Sequence, residues 1–319
     1  MMLRNTTLLA MVALGLAAID TSKIPAIEIA PKVWMPMSGL GTWQYNDSVA
    51  EAAVSAYLSD EVAGTHIDTA YGYLNGNGIG KALAASSRPR DSYFITSKIP
   101  GGLNTSTANQ NFADNLKQLQ TSYVDLLLVH FPATWGGEGG KALRQEEWKA
   151  MEAFVKSGQA KAIGVSHYCQ RHVEDILEIN TVPIAVNQVQ FHVGMGAPTT
   201  NGGNATDDLP YMLKQNITYE SFSPLCGPCG TTELIDGPLV SDIGKKYGKT
   251  GAQVSLKWQI QQGIPVIPKT HKVEYMKQNV DLFDWELSDI DMAALNAATS
   301  PAVAGDPGPP ATSGDCSVP

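Results

Sequence analysis

Basic residues are scarce in this sequence. Its 319 residues include 22 Lys and Arg against 31 Asp and Glu, which gives a formal net charge of −9 at pH 7. A protein that binds the phosphate backbone of a nucleic acid needs a positively charged surface. Nucleic acid is therefore not expected as a partner.

A long apolar run is also missing near the N-terminus. The run from Leu8 to Ile19 has twelve residues, whereas a membrane-spanning helix needs about 20. Stable membrane insertion is therefore not expected. The run follows Arg4 and contains small residues near its end, a pattern typical of a secretory signal peptide. We predict a signal peptide over residues 1–18 and a location in the secretory pathway or outside the cell, with a cytoplasmic enzyme as the alternative.

No Pro- or Gly-rich linker interrupts the chain between residues 19 and 299, so a single domain is predicted there. Residues 300–319 are rich in Pro and Gly and have no apolar period. This composition predicts a flexible C-terminal tail.

Within the domain, short apolar runs alternate with amphipathic stretches. The stretches at 47–58, 111–119 and 146–155 carry apolar residues at spacings of three and four, which predicts helices. Parallel strands joined by helices eight times over predict an α/β fold, the (β/α)8 TIM barrel, and two short runs before the first strand predict an N-terminal β-hairpin over the barrel floor. The eight predicted strands begin near Met37, Gly64, Tyr93, Val124, Ala160, Ile184, Ile217 and Ile264.

Chemically active residues occur where the predicted strands end, which is where barrel enzymes form their active sites. Asp68, Lys98 and His130 end three strands, and Tyr73 follows Asp68 by five residues. An ammonium beside a phenol is expected to lower the pKa of the phenol, and a carboxylate can hold that ammonium in place. A histidine can donate a hydrogen bond to a substrate oxygen. Taken singly, each residue has an equally good structural explanation: Asp68 as a helix cap, Lys98 in a buried ion pair with Asp68, and His130 as a core histidine. Taken together, the four residues predict a site that donates a proton to an alkoxide.

The motifs along the chain resemble those of the aldo-keto reductases. The resemblance implies that Asp68, Tyr73, Lys98 and His130 are the catalytic tetrad. It implies NAD(P)H-dependent reduction of aldehydes or ketones to alcohols, with Tyr73 as the proton donor. The alternative is a non-catalytic, NADP(H)-binding, redox-sensing protein on the same fold. In the family's order, the matching stretches are Gly39–Trp43, Gly64–Ala70, Tyr93–Lys98, Val124–His130, Ala162–Ser166, Val186–Gln190, Ser223–Leu225 and Val266–Lys269.

No G-x-G-x-x-G motif follows a predicted strand, and the glycines at 76, 78 and 80 have the wrong spacing, so we expect them in turns. The resemblance nevertheless implies a dinucleotide extended across the barrel mouth. His167 stands where the family usually has Asn, Phe222 where it has Tyr, and Tyr275 where it has an Arg that faces the cofactor phosphate. NADPH is still expected over NADH. The cofactor residues implied are Ser166, His167, Gln188, Phe222, Ser223, Leu225, Lys269, Thr270 and Asn279.

Trp43, Phe131 and Trp135 predict an apolar substrate pocket, and the resemblance implies a small carbonyl compound as the partner of a monomeric enzyme. No metal is expected. A metal-dependent hydrolase using His66 and Asp68 would need further ligands at other strand ends.

Cys226-Gly-Pro-Cys229 has the C-x-x-C spacing of thiol-disulfide oxidoreductases. No thioredoxin-like βαβ unit surrounds it. A structural disulfide or two free thiols in the cofactor loop is therefore favoured over redox catalysis.

Overall fold

The computed structural model describes residues 19–196 and 209–301. The predicted signal peptide over residues 1–18 lies outside the described residues, as does the predicted tail beyond residue 301. The described chain contains one two-stranded and one seven-stranded sheet.

The two-stranded sheet is the predicted N-terminal hairpin, in which β1 (Ala26–Ala30) pairs antiparallel with β2 (Val33–Pro36). The seven strands of the other sheet are all parallel and follow one another in chain order. They are β3 (Leu40–Gly41), β4 (His66–Asp68), β5 (Phe94–Ile99), β6 (Val124–Val129), β7 (Ala160–Ser166), β8 (Val186–Gln190) and β9 (Thr218–Phe222).

An extended segment at residues 264–268 closes this sheet into a barrel. Val266 forms parallel bridges to Ser38, just before β3, and to Ser221 in β9. The backbone N–H of Gly39 donates to the carbonyl of Val266 at 2.9 Å, and that of Ser221 donates to the carbonyl of Pro265 at 2.8 Å. The segment therefore occupies the place of the eighth predicted strand, and the prediction of a (β/α)8 barrel is confirmed.

Helices connect the strands and pack their apolar faces against the outside of the barrel. The three stretches predicted to be helical coincide with parts of helices, except that residue 119 lies one position beyond the end of its helix. The helices are α1 (Asp47–Leu58), α2 (Gly76–Ala85), α3 (Thr105–Gln118), α4 (Lys141–Lys156), α5 (Gln170–Leu177), α6 (Leu209–Lys214), α7 (Glu233–Asp236), α8 (Pro238–Tyr247), α9 (Gly251–Ile260), α10 (Val273–Val280) and α11 (Asp289–Asn296), with 3-10 turns at Tyr71–Tyr73, Arg90–Ser92 and Gly227–Cys229.

The hairpin packs against the N-terminal ends of the barrel strands and forms the floor of the barrel. Met35 of β2 is fully buried in a cluster with Phe94, Leu126 and Leu128, which alternate along β5 and β6 with residues that face the helices. Side chains that alternate along a strand lie on opposite faces. Apolar side chains therefore fill much of the lower half of the barrel, where the buried His66 and Thr96 hydrogen-bond to each other at 2.9 Å.

The glycines at 76, 78 and 80 are helical residues of α2, so the expectation of turn residues is wrong. A Cβ atom at Gly78 would lie 1.9 Å from the carbonyl oxygen of Asp47, and one at Gly80 would lie 2.1 Å from that of Gln118. The glycines allow α2 to approach α1 and the end of α3 closely.

Over residues 19–196 and 209–301, the structure contains no helix with the length and apolar character needed to cross a membrane.

Candidate active site

The barrel brings the four predicted tetrad residues together at its mouth. Asp68 is the last residue of β4, Lys98 lies near the end of β5, and His130 directly follows β6. Tyr73 ends the 3-10 turn that follows β4, and this turn returns its side chain towards Lys98. Neighbouring parallel strands thus supply three of the groups, and one short loop supplies the fourth.

Lys98 is the centre of this arrangement. Its Nζ donates to Asp68 Oδ1 at 2.7 Å, to Asp68 Oδ2 at 2.8 Å and to the carbonyl of Thr69 at 3.0 Å. The same nitrogen lies 3.4 Å from the hydroxyl of Tyr73. Lys98 and Asp68 are both buried, with side-chain exposures of 0% and 2%. The ion pair predicted as the structural explanation therefore exists, and it touches the Tyr73 hydroxyl.

Burial and charge act in opposite directions on this pair. Burial alone would lower the pKa of Lys98, but the adjacent charge of Asp68 and its hydrogen bonds outweigh burial and raise that pKa. Burial raises the pKa of Asp68, and the contacts with Lys98 and Gln188 partly offset it. Lys98 is accordingly charged at neutral pH.

The expected lowering of the Tyr73 pKa is wrong. Burial of the phenol is the largest influence and raises the pKa of Tyr73 above its ordinary value, while the charge of Lys98 opposes this rise without cancelling it. Tyr73 consequently carries its proton at neutral pH, as a proton donor must.

His130 is a neutral imidazole beside Tyr73. The two rings meet edge to face, with centroids 5.5 Å apart. Burial, Lys98 and His167 all lower the pKa of His130 well below its ordinary value. A neutral imidazole donates one hydrogen bond, so His130 can orient an oxygen without competing with Tyr73 as an acid.

Sequence reasoning missed Glu220, a fully buried carboxylate in β9. It lies in register with Gln188 of β8, whose Nε2 donates to Glu220 Oε2 and to Asp68 Oδ2, both at 2.8 Å. Burial and the charge of Asp68 raise the pKa of Glu220 to about 8. The one available signal was an acidic residue within the strand sequence TYESF, two positions before Phe222.

The predicted carboxamide-binding residues lie next to the tetrad. The Ser166 hydroxyl donates to the carbonyl of Gln188 at 2.8 Å, and His167 Nδ1 lies 3.0 Å from the carbonyl of His130. A carbonyl can only accept, so Nδ1 of His167 carries the proton. The positive φ of His167, 62°, turns its ring towards the mouth.

Aromatic rings form one wall of the mouth. The His167 ring lies 4.7 Å from Phe222 and 4.6 Å from Phe131, measured between centroids. Phe131 also packs edge to face on Trp135 at 5.2 Å and stacks on His130 at 4.3 Å. Trp135 is 60% exposed, so the two predicted substrate residues of this loop form an apolar rim beside the tetrad.

The remaining predicted residues lie elsewhere around the mouth. Lys269 Nζ donates to Gln44 at 2.8 Å and lies 5.8 Å from the ring centre of Trp43, the third predicted substrate residue. Trp43 therefore borders the predicted phosphate site rather than the Phe131–Trp135 rim. Thr270 is half-buried beside Lys269, Ser223 and Leu225 are half-buried after β9, and Asn279 is buried in α10.

Two of the predicted cofactor residues, Gln188 and Asn279, have hydrogen-bonding capacity that the described residues do not use. Gln188 uses Nε2 towards two carboxylates, and its Oε1 accepts no hydrogen bond from any described residue. The buried amide of Asn279 likewise makes no side-chain hydrogen bond within the described part of the chain. An amide with an unused donor or acceptor can pair with a bound ligand. These residues, with the exposed Lys269, therefore fit a bound dinucleotide.

Cys226 and Cys229 are joined by a disulfide. Of the two structural states predicted for this motif, the structure thus contains the disulfide. The bond lies in the loop that follows β9, adjacent to the predicted cofactor residues Ser223 and Leu225.

Comparison with known proteins gives matches over most of the chain. Residues 37–300 match the model of the aldo/keto reductase family. The chain is 34% identical over 281 residues to glyoxal reductase from Bacillus subtilis, covering 87% of this chain and 94% of that protein. It is 34% identical over 273 residues to an aldo-keto reductase from Mycobacterium marinum, covering 85% and 90%. A crystal structure of an aldo/keto reductase from Brucella melitensis superposes with a TM-score of 0.75 at 31% identity, covering 86% of this chain and 98% of that one.

The comparisons contradict the predicted secretion. The family match covers residues 37–300, and nothing in the matched relatives or the superposed structure supports a signal peptide over residues 1–18 or a secreted protein. The prediction of a secretory protein is therefore wrong. The cytoplasmic alternative is the one that these relatives fit.

Proposed function

Because the chain belongs to the aldo/keto reductase family, whose members generally use NAD(P)H, we propose that it reduces aldehydes or ketones to alcohols with hydride from NADPH and a proton from Tyr73. The observation that carries the proposal is that Lys98 contacts both Asp68 and Tyr73. Its Nζ holds both oxygens of Asp68 and lies 3.4 Å from the Tyr73 hydroxyl. A buried cation in this position stabilises the phenolate that remains after Tyr73 has given up its proton.

The proposed roles of the residues follow from their ionisation. When bound, the reduced nicotinamide supplies the hydride. Tyr73 donates its hydroxyl proton to the substrate oxygen, where negative charge develops. Lys98 favours the loss of that proton, and Asp68 keeps Lys98 charged and in place. The neutral His130 donates a hydrogen bond to the same oxygen and thereby orients the carbonyl group.

The proposed cofactor site extends from the tetrad to the exposed end of the barrel. Ser166, His167 and Gln188 would hold the carboxamide, with Oε1 of Gln188 as an acceptor for its amide hydrogens. Phe222 would contact the nicotinamide ring, and Ser223 and Leu225 would border it. At the other end, Asn279 would bind the adenosine portion and Lys269 with Thr270 its phosphate. The ammonium of Lys269 is the reason for proposing NADPH rather than NADH, since it can pair with a phosphate that NADH lacks.

The substrate class follows from the rim beside His130. Phe131 and Trp135 present aromatic faces next to the polar tetrad. We propose carbonyl compounds with apolar bodies as substrates. The likeness to a protein named glyoxal reductase adds small dicarbonyl compounds to the set that should be tested.

The experiment measures the oxidation of NADPH and of NADH by the purified protein with aldehydes, ketones, dicarbonyls and sugars. We expect turnover with NADPH and a lower KM for apolar carbonyls than for sugars. Tight binding of NADPH without turnover of any carbonyl would contradict the proposal and indicate a redox-sensing protein.

A further inference from the structure

A second group of reactive side chains lies just beyond the ends of β8 and β9, outside the tetrad. The imidazole of His192 and the sulfur atoms of Cys226 and Cys229 place their donor atoms within 4.8 Å of one another. His192 follows β8 by two residues, and the cysteines belong to the loop after β9. The group therefore joins two neighbouring strand ends, and the proposed reductase activity does not use it.

The hydrogen bond between His192 and the backbone leaves the other ring nitrogen of His192 available as a metal ligand. The residue is fully buried, and Nδ1 lies 2.8 Å from the carbonyl of Val193. A carbonyl can only accept, so Nδ1 carries the proton and Nε2 of the neutral ring carries a lone pair. That Nε2 is buried and has no hydrogen-bond partner among the residues that the structure describes. Metal-bound histidines characteristically donate their other ring nitrogen to a carbonyl or carboxylate in this way.

The two cysteines provide the matching sulfur donors when they are reduced. Their Cα atoms are 5.3 Å apart, and two residues separate them. Cys226 is buried, and Gln190 Nε2 donates a long hydrogen bond of 3.9 Å to its sulfur, which favours a negatively charged thiolate. Cys229 is half-buried, so one side of the group is accessible. The C-x-x-C spacing is one that zinc sites commonly use.

We propose that the reduced protein binds one Zn²⁺ ion through His192, Cys226 and Cys229. Two thiolates and one imidazole are the ligand types that Zn²⁺ prefers, and three protein ligands leave a fourth tetrahedral position for water. The bound ion fixes the loop after β9 directly beside Phe222. The disulfide and the zinc complex use the same sulfur atoms and exclude each other.

A dithiol can reduce the Cys226–Cys229 disulfide to the two thiols that zinc binding requires. Two electrons and two protons pass from the dithiol to the disulfide, the S–S bond breaks, two cysteine thiols form, and the dithiol becomes a disulfide. Binding of Zn²⁺ then releases one proton from each thiol. Oxidised protein is therefore expected to bind no zinc at this position.

The test is a titration of the full-length protein with Zn²⁺. The protein is reduced with dithiothreitol, separated from it without oxygen, and titrated in competition with a chromophoric zinc chelator. We expect one Zn²⁺ per chain in the reduced wild type and none in the oxidised protein. Zn²⁺ should also protect Cys226 and Cys229 from alkylation, as measured by peptide mass spectrometry.

Three variants and one matched control locate the ion. His192→Gln, Cys226→Ser and Cys229→Ser are each expected to weaken binding at least ~10-fold, since each removes a ligand. Cys316→Ser removes a cysteine that is not one of the three proposed ligands, and this variant is expected to bind Zn²⁺ as the wild type does. Circular dichroism and NADPH binding check that each variant is folded. Because Cys229 is the half-buried ligand, Cys229→Ser disturbs the core least.

Absence of stoichiometric zinc in the reduced wild type would overturn the proposal. Unchanged affinity in both His192→Gln and Cys229→Ser, or equal binding by oxidised protein, would do so as well. None of these three results depends on reductase activity, so the proposed function is tested separately.

Discussion

Gln188 donates a hydrogen bond from Nε2 to Oε2 of Glu220 at 2.8 Å, deep in the barrel and away from solvent. The second hydrogen of the same nitrogen goes to Asp68. Two carboxylates thus determine which way the amide of Gln188 faces, and its Oε1 is directed away from them. Glu220 therefore acts as a positioning residue for the proposed carboxamide site.

The stability of the protein is expected to depend on the ionisation of Glu220. Its pKa is about 8 in the folded protein, against roughly 4.3 in an unfolded chain. Protonated Glu220 therefore favours the folded state fully below about pH 4, and this contribution is lost as the pH rises towards 8. Glu220→Gln is expected to remove this pH dependence of the free energy of unfolding. Each unit of difference between the folded and unfolded pKa corresponds to roughly 1.4 kcal/mol.

Urea unfolding of the wild type and of Glu220→Gln across this pH range measures the effect. The free energy of unfolding of the variant should rise relative to the wild type as the pH increases from about 5 to about 8 and then remain level. Glu61→Gln, at an exposed position with 60% side-chain exposure, is the matched control. A constant difference over the whole range would show that Glu220 is ionised throughout.

Tyr73→Phe is expected to keep cofactor binding and to lower the rate of carbonyl reduction by about 10²- to 10⁴-fold, the usual contribution of a general acid. The ring and its contact with His130 remain, and only the donated proton is lost. Tyr71→Phe, in the same 3-10 turn, is the control and should retain activity. Steady-state kinetics and NADPH fluorescence titration give the two readouts. Near wild-type turnover in Tyr73→Phe would exclude this residue as the proton donor.

Lys98→Met is expected to lower the free energy of unfolding by about 3–5 kcal/mol at neutral pH, because it leaves the buried carboxylate of Asp68 without its partner. The loss should shrink in acid, where Asp68 becomes protonated. Lys161→Met breaks an ion pair in which the lysine is 43% exposed and should cost less than about 1 kcal/mol. Chemical unfolding measures both. Similar losses for the two variants would contradict a buried, desolvated pair.

Tyr275→Arg is expected to tighten NADPH binding by about 10- to 100-fold and to leave NADH binding nearly unchanged. Tyr275 is 43% exposed in α10, and the ammonium of Lys272 lies 5.1 Å from its ring centre. A guanidinium there can form a charge-assisted hydrogen bond with a phosphate. Tyr275→Phe serves as the control and should alter neither affinity. Isothermal titration with both cofactors measures the change, and an equal gain for NADH would place residue 275 away from the phosphate.

The barrel was predictable because its strands are buried on both faces and read as continuous apolar runs. Val124–Val129, with the sequence VDLLLV, is the clearest case. The clustering of Asp68, Tyr73, Lys98 and His130 was predictable because these residues end such runs or follow one closely. These signals are local, so a single stretch of sequence contains them.

What the sequence did not reveal depends on contacts between distant residues. The carboxylate of Glu220 matters through Gln188, 32 residues earlier in the chain. The helical packing of Gly80 depends on the carbonyl of Gln118. The pKa of Tyr73 depends on how many atoms enclose the phenol, whereas the sequence indicated only a lysine nearby.

The apolar floor beneath the mouth means that charge is poorly screened inside the barrel. The ammonium of Lys98 accordingly acts on the ionisation of five groups, His66, Asp68, Tyr73, His130 and Glu220. Protons on groups coupled in this way leave in macroscopic steps that belong to the set. The pH profile of the enzyme is therefore expected to reflect the ionisation of several groups of the mouth together, and not that of Tyr73 alone.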